Sequence, residues 1–136
     1  MALAGLLHDA AEAYLGDVAS PVKDRLVINT YLGLEPFKEV EDRTLGLILG
    51  KFGLCLPLPE PVMEADKQVQ ATEARDLFRI PQVWDHLPEP LEEKIKPATS
   101  LWVEREWLRR VTEQVERCRA DIYDQVGAAA VADILE

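Results

Sequence analysis

The segment MALAGLLHDAAEAYLGD, at the start of this 136-residue chain, is the feature that most constrains its fold. It predicts a helix that ends near Leu15, and Leu3, Leu6 and Leu7 with their small neighbours make that helix apolar on nearly every side. A helix of this kind has to be surrounded by protein. The cover could come from later helices of the chain, from another subunit, or from sequence further upstream.

The rest of the chain predicts more helices, separated by loops that contain proline. The best strand candidate is RLVINTYLGL, residues 25–34, but its alternation is weak and a helical connector explains it equally well. A polar connector is expected over residues 17–29, and helices over residues 35–51, 61–78 and 100 to at least 122, with a short terminal helix in residues 127–136. We therefore predict an all-α fold and a single domain of residues 1–136.

The charge of the chain excludes several classes of function. A formal net charge of −10 disfavours non-specific binding to nucleic acid or to anionic membranes, since both need a basic face. Arg105, Arg109 and Arg110 form the most basic stretch, but acids are interleaved with them. There is no apolar run of the ~18–20 residues that a membrane span needs and no basic n-region, so we expect a cytoplasmic protein. Cys55 and Cys118 lie outside any C-x-x-C pair, which predicts reduced thiols.

The apolar first helix carries three ionisable groups close together. His8 and Glu12 are four residues apart and share a face, and Asp9 lies about 100° around the helix. Imidazole and carboxylate together form a ligand set for divalent Mn, Co, Ni, Fe, Zn or Mg. Spacing alone leaves open whether this stripe faces a cation or water. The other histidine, His86, has no spaced partner, and we interpret it as a loop histidine.

Two longer motifs extend this group. HDAAEAYLGDVASPVK, residues 8–23, and EADKQVQATEARDLF, residues 64–78, resemble the HD-domain phosphohydrolase superfamily, and most of all its metal-dependent 5'-nucleotidase-like branch. That branch has the pattern HD-x-x-E, then G-D, then a P-x-K turn, with a downstream acid-alanine-aspartate element. The resemblance implies an HD-domain helical bundle in which His8, Asp9 and Asp66 bind a divalent metal ion.

The resemblance also implies roles for neighbouring residues. Glu12 matches the acid that activates the attacking water and protonates the leaving group, and Asp17 matches a second acid near the substrate. Lys23 stands where a cation could meet phosphate. A divalent ion suits this chemistry because it polarises a phosphoryl oxygen and lowers the pKa of water. Glu73 could reach the site or pair with Arg75 or a neighbouring helix, and we favour the structural role.

The chain departs from the family pattern at its N-terminal end. The family has a further histidine ligand on a helix before the HD helix, but only seven residues precede His8 and none is histidine. We therefore expect an N-terminally shortened bundle. It could be a fragment of a longer product, a naturally shortened member with an incomplete site, or a chain that another subunit covers. The apolar face of Leu3, Leu6 and Leu7 would favour a homo-oligomer.

The expected function is metal-dependent hydrolysis of nucleoside 5'-monophosphates or similar small phosphomonoesters. The chain has neither a phosphate-binding P-loop nor a nucleophile elbow, so those routes to hydrolysis are excluded. The alternative is a catalytically silent helical module, derived from an HD domain, that serves oligomerisation or binding. Nucleic-acid binding is the weakest interpretation, because the chain is acidic.

Overall fold

A computed structural model describes residues 1–80 and 84–135, with side chains described up to residue 121. The order of elements is α1 (Ala2–Leu7), α2 (Glu12–Leu15), α3 (Ser20–Lys23), β1 (Val27–Thr30), β2 (Gly33–Pro36), α4 (Phe37–Lys51), α5 (Glu60–Asp76) and α6 (Ser100–Leu135). The chain divides into two compact units, one over residues 3–96 and one that begins at Pro97. The single domain predicted from the sequence stays a prediction.

The predicted all-α HD-domain bundle is wrong. The chain is about 58% helical and also contains a two-stranded antiparallel sheet, so the fold is mixed and rich in helix. The sheet forms within residues 25–34 and their neighbours, where the sequence left a strand and a helical connector equally open. Four-residue strands are too short for alternation to be distinguished from a helical pattern, which is why the prediction failed there.

Local chemistry explains the hairpin. Thr30 pairs with Gly33 across a two-residue turn, and Gly33 adopts a φ of +109°, which glycine tolerates because it has no Cβ. The Thr30 hydroxyl donates to the Glu35 carboxylate. Arg43, on α4, donates to both oxygens of Glu35 at 2.7 and 3.1 Å. This forked ion pair holds β2 against the helix that follows it.

The predicted N-terminal helix is interrupted at residues 8–11, which form a turn between α1 and α2. The His8 ring donates from Nδ1 to the Gly5 carbonyl at 2.8 Å. In an unbroken helix that carbonyl would accept from the backbone N–H of Asp9. Hydrogen bonds between residues three apart follow instead, from the N–H of Ala10 to the Leu7 carbonyl and from the N–H of Glu12 to the Asp9 carbonyl. The end of the segment is as predicted, with Leu15 closing α2 and Gly16 at a φ of +80°.

The buried apolar residues that the structure describes lie within residues 3–96. They come mainly from α1, α4 and α5, and include Leu3, Leu7, Phe37, Leu45, Leu49, Val62 and Ala74. Leu3 and Leu7 are only 4% and 2% exposed, so the described chain itself covers most of the apolar first helix. The patch on which we based self-association is therefore mostly buried. A homo-oligomer stays a prediction without that support.

The long helices α4, α5 and α6 begin within two residues of the predicted positions, and α4 and α5 also end within two residues of them. Helix α4 ends at Lys51, and Gly53 follows with a φ of +71°, so the N–H of Leu54 can donate to the carbonyl of Leu49 at 3.0 Å. Helix α6 continues through the segment for which we predicted a separate terminal helix. Among residues 1–80 and 84–135, none of the helices combines the length and apolarity that crossing a membrane requires.

The loop after α5 is tied to the C-terminal turns of that helix. Arg75 donates to the carbonyls of Leu91 at 2.6 Å and Glu93 at 3.0 Å, and it also binds Asp76 through two nitrogens. Asp76 accepts from the backbone N–H of Ile95 at 2.9 Å. We call Arg75 and Asp76 with these partners the loop anchor. It holds residues 91–95 against α5.

Candidate functional site

Three of the predicted site residues converge where α1 ends beside α5. The His8 Nε2 atom lies 2.9 Å from Asp9 Oδ2 and 3.2 Å from Asp66 Oδ1. Asp66 is 58 residues further along the chain, so folding alone brings it to the other two. We call His8, Asp9 and Asp66 the His8 cluster. Its ligand atoms, one from each residue, all lie within 4.8 Å of one another.

The orientation of His8 follows from its two ring nitrogens. Because Nδ1 donates to the Gly5 carbonyl, Nε2 is the atom that faces the carboxylates. A backbone carbonyl that fixes one imidazole nitrogen and leaves the other for a ligand is the usual arrangement around metal-binding histidines. The hydrogen bond with Asp9 raises the pKa of His8 to about 9, against the effect of desolvation. The same bond lowers the pKa of Asp9.

The His8 cluster fits a divalent cation in its donor atoms and in its access to solvent. One imidazole nitrogen and two carboxylate oxygens are a common donor set for first-row divalent ions. The side chains are neither sealed in nor fully exposed, at 27% for His8, 58% for Asp9 and 38% for Asp66. Three protein ligands that leave room for water are also typical of catalytic rather than structural metal sites.

A second charged group adjoins this cluster. The Lys23 Nζ atom lies 2.6 Å from Glu41 Oε1 and 3.4 Å from Glu12 Oε1. We call Glu12, Lys23 and Glu41 the Lys23 bridge. We predicted that His8 and Glu12 share one face of a continuous helix, but the turn at residues 8–11 interrupts that helix. Glu12 binds Lys23 of α3. Carboxylates outnumber cations across the two groups together, which favours a bound cation.

The pKa shifts in the Lys23 bridge follow from burial and neighbouring charge. Desolvation raises the pKa of Glu12, and the charges of Asp9 and Asp17 raise it further. Desolvation lowers the pKa of Lys23, but the hydrogen bond and charge of Glu41, and then those of Glu12, outweigh it and the net shift is upward. Asp17 therefore lies close enough to Glu12 for its charge to raise the pKa of Glu12.

Sequence reasoning missed Glu41, although the sequence held a signal. Phe37, Glu41, Leu45 and Leu49 are spaced four residues apart, so they follow one side of α4. Phe37, Leu45 and Leu49 are buried. An acid within such an apolar stripe needs a partner, since burying an unpaired carboxylate is costly. Lys23 is that partner, so it is already engaged at the place where we predicted it to meet phosphate.

Two clefts open at the His8 cluster. Both are lined by its three residues together with Glu12 and Lys23. The first has a volume of about 610 Å³, and its remaining wall is largely apolar, with Leu45, Leu56, Leu58 and Met63. The second has a volume of about 770 Å³ and a more polar wall that includes Asp17, Ser20, Gln70, Glu73, Trp84 and His86. These volumes are in the range of small-molecule sites.

Two residues that we had set aside therefore lie at a cleft shared with the predicted site. His86, interpreted as a loop histidine, lines the second cleft, and its ring stacks with that of Trp84. Glu73 lines the same cleft. Arg75, which we considered as a partner for Glu73, binds Asp76. The spacing signal for Glu73 was present, since it follows Asp66 by two helical turns. His86 gave no comparable signal, because it is far from the other cleft residues in the sequence and only the tertiary structure brings its loop to the cleft.

Two curated bacterial proteins are similar to this chain over about half of its length. Uncharacterized protein YfdR of Escherichia coli (strain K12) is 40% identical over 76 residues, which cover 56% of this chain and 38% of that protein. Uncharacterized protein RCAP_rcc00048 of Rhodobacter capsulatus is 37% identical over 73 residues, covering 54% and 34%. The chain thus spans little more than a third of the relatives it matches. No protein-family model and no solved structure matches it.

Proposed function

We propose that this chain carries the metal site of a phosphohydrolase related to the HD superfamily, acting on nucleoside 5'-monophosphates or similar small phosphomonoesters. The observation that carries the proposal is the His8 cluster, where one imidazole nitrogen and two carboxylates from distant segments point at one place. A structural salt bridge does not need a second carboxylate at the same nitrogen. A cation site does, because the ligands must together offset the charge of the ion.

His8, Asp9 and Asp66 would hold the ion, with Gly5 fixing the His8 ring so that Nε2 is available. A divalent ion at this place supplies polarisation of a phosphoryl oxygen and acidification of water. The acidic surroundings then do not prevent phosphate binding, because the cation provides the missing positive charge.

Glu12 is the proposed proton-transfer residue. Its pKa is raised by desolvation and by the charges of Asp9 and Asp17, which brings it closer to neutral pH and suits general acid–base chemistry. The Lys23 bridge orients its carboxylate, since Lys23 is held by Glu41 from the other side. Asp17 lines the second cleft and is proposed to contact the substrate. A direct contact from Lys23 to phosphate requires it to exchange one of its carboxylate partners.

The second candidate is a silent helical module used for oligomerisation or binding. The observation in its favour is that His8 finds partners for both ring nitrogens within the described chain, so the cluster is satisfied without a ligand. For either candidate we propose a cytoplasmic location, in keeping with the free thiols of Cys55 and Cys118.

Phosphate release from a panel of nucleoside monophosphates with Mn, Co or Mg tests the proposal. We expect Asp66→Asn to abolish release together with metal binding. Glu12→Gln should lower kcat by about 100-fold while metal binding is retained, which is the usual scale for losing a proton-transfer group. Asp24→Asn is the control, because Asp24 is an exposed aspartate outside both clefts. Metal binding without release in the wild type would favour the silent module.

A further inference from the structure

The second cleft extends well beyond the His8 cluster. Its lining includes the cluster and also, further along α5 and the loop after it, Gln70, Glu73, Trp84 and His86. At about 770 Å³ it has room for a ligand larger than a phosphate ion with its bound metal. Part of the cleft is therefore left for whatever group the phosphate is attached to.

One face of α5 carries residues from both parts of this lining. Asp66, Gln70 and Glu73 are separated by four and then three residues, so they lie on the same helix face. From Asp66 to Glu73 the helix rises by about 10 Å. A nucleoside monophosphate can span this distance between its phosphate and the far edge of its base. The polar groups thus continue from the cluster in the direction that a substrate would extend.

An aromatic pair belongs to the same lining. The rings of Trp84 and His86 are nearly parallel, with centroids 6.2 Å apart and planes 14° from each other. The Phe78 ring packs edge-on against Trp84, with centroids 5.8 Å apart, which favours this orientation of the indole. Trp84 remains 36% exposed. A large aromatic surface that is oriented by a neighbour yet still accessible is suited to stacking with a planar ligand ring.

We propose that the second cleft binds the nucleobase of the substrate, with Trp84 and His86 as the stacking surface and Gln70 and Glu73 as the residues that contact the base edge. This assignment rests on the proposed function, in that it identifies the group carried by the phosphomonoester. Stacking on an aromatic side chain is strong and tolerates any base. The edge contacts add a preference, because an ionised carboxylate accepts hydrogen bonds and so selects bases with an amino group, such as adenine and cytosine.

Two measurements separate the base subsite from the hydrolytic function. The first is equilibrium binding of adenosine, which has no phosphate, to the metal-free protein by calorimetry. The second is kcat/KM for adenosine 5'-monophosphate and for ribose 5-phosphate with Mn present. Each is made for the wild type, Trp84→Ala, Trp84→Phe and the control Trp102→Ala. Trp102 is an exposed tryptophan of α6 that does not line the cleft.

We expect Trp84→Ala to weaken adenosine binding and to lower kcat/KM for adenosine 5'-monophosphate by about 10-fold or more, the scale of one lost base–aromatic stack. Ribose 5-phosphate, which has no base, should be hydrolysed equally by the wild type and by Trp84→Ala. Equal hydrolysis of ribose 5-phosphate excludes a folding defect. Trp84→Phe should restore most of the loss, because its ring can also stack, and Trp102→Ala should match the wild type. Glu73→Gln should reduce the preference for adenosine 5'-monophosphate over uridine 5'-monophosphate.

The outcomes distinguish the two proposals. Adenosine binding that depends on Trp84, without any phosphate release by the wild type, supports the base subsite and contradicts the hydrolytic function. Release from both substrates with equal losses in Trp84→Ala, or adenosine binding that ignores Trp84, overturns the base subsite and leaves the hydrolytic function standing. Absence of adenosine binding to the wild type at millimolar concentration also overturns the subsite.

Discussion

Helix α5 contributes to two charged clusters that differ in charge balance and in exposure to solvent. In the loop anchor at its C-terminal end, each charge has a partner of opposite sign, and the remaining donors of Arg75 bind backbone carbonyls. In the His8 cluster near its middle, a single imidazole faces two carboxylates. Asp76 is only 9% exposed, whereas Asp66 is 38% exposed and lies at two clefts. A group that is internally complete stabilises the fold, and one with surplus charge and access to solvent can bind a ligand.

The largest effect should come from removing Asp66 and asking whether a metal still stabilises the protein. In the wild type, Mn or Co at a hundredfold excess over Kd should raise the unfolding midpoint by about 10 °C, because the ion binds only the folded state. Asp66→Asn should lose this increase. Even substitutions outside the ligand set usually cost about 10–100-fold in metal affinity, so removal of a ligand costs at least as much.

Asp76→Asn is the matched control for that measurement. It removes a carboxylate from the same helix but from the loop anchor, so its midpoint should fall without metal and should rise by as much as that of the wild type when metal is added. An equal metal response in Asp66→Asn and the wild type, by thermal melting, would show that the His8 cluster is not a metal site.

A smaller effect is expected when the loop anchor loses its arginine. Arg75→Ala removes the hydrogen bonds to the carbonyls of Leu91 and Glu93 and leaves Asp76 without its ion-pair partner. We expect the unfolding midpoint to fall by about 5 °C or more. Arg119→Ala, at an exposed arginine of α6, should change it little. If the two substitutions have the same effect in a thermal melt, the anchor contributes nothing particular to stability.

The smallest effect concerns the dependence of stability on pH. The hydrogen bond from Arg75, then that from the N–H of Ile95, lowers the pKa of Asp76 to about 2. Because the pKa is lower in the folded than in the unfolded chain, Asp76 stabilises the protein fully above its unfolded value near 4, and the contribution is lost as the pH falls from about 4 to 2. Asp76→Asn should therefore show a shallower loss of stability in this window.

Urea unfolding midpoints measured between pH 5 and 2 check this expectation. Glu106 also has its pKa lowered to about 2, by hydrogen bonds from Arg109 and then Arg110, so some pH dependence should remain in the variant. Asp24→Asn should follow the wild-type curve. Parallel curves for Asp76→Asn and the wild type would contradict the assignment of this contribution to Asp76.

Much of the helical structure could be predicted from local sequence. The predicted range 61–78 and the observed Glu60–Asp76 differ by at most two residues, because Pro61 suits the first turn of a helix. Helix α4 likewise ends where Gly53 allows a positive φ. The hairpin was missed because β1 and β2 are short, and because Arg43, which holds Glu35, lies outside both strands. The interruption at His8 was missed because a side chain, rather than a proline or glycine, disrupts the backbone hydrogen bonding.

For the candidate site, the motifs indicated which residues matter, and the structure decided which of them meet. His8 and Asp9 are adjacent, so their proximity was inevitable, but the 3.2 Å approach of Asp66 depends on how α1 packs near α5. Glu41 is connected to the site by its ion pair with Lys23, and Trp84 by the second cleft that it lines. Local sequence determines helix ends, charge and candidate ligands because these depend on neighbouring residues. Only long-range packing places distant side chains around a common space. That packing is the reason why the His8 cluster and the loop anchor, on the same helix, differ in charge balance and exposure.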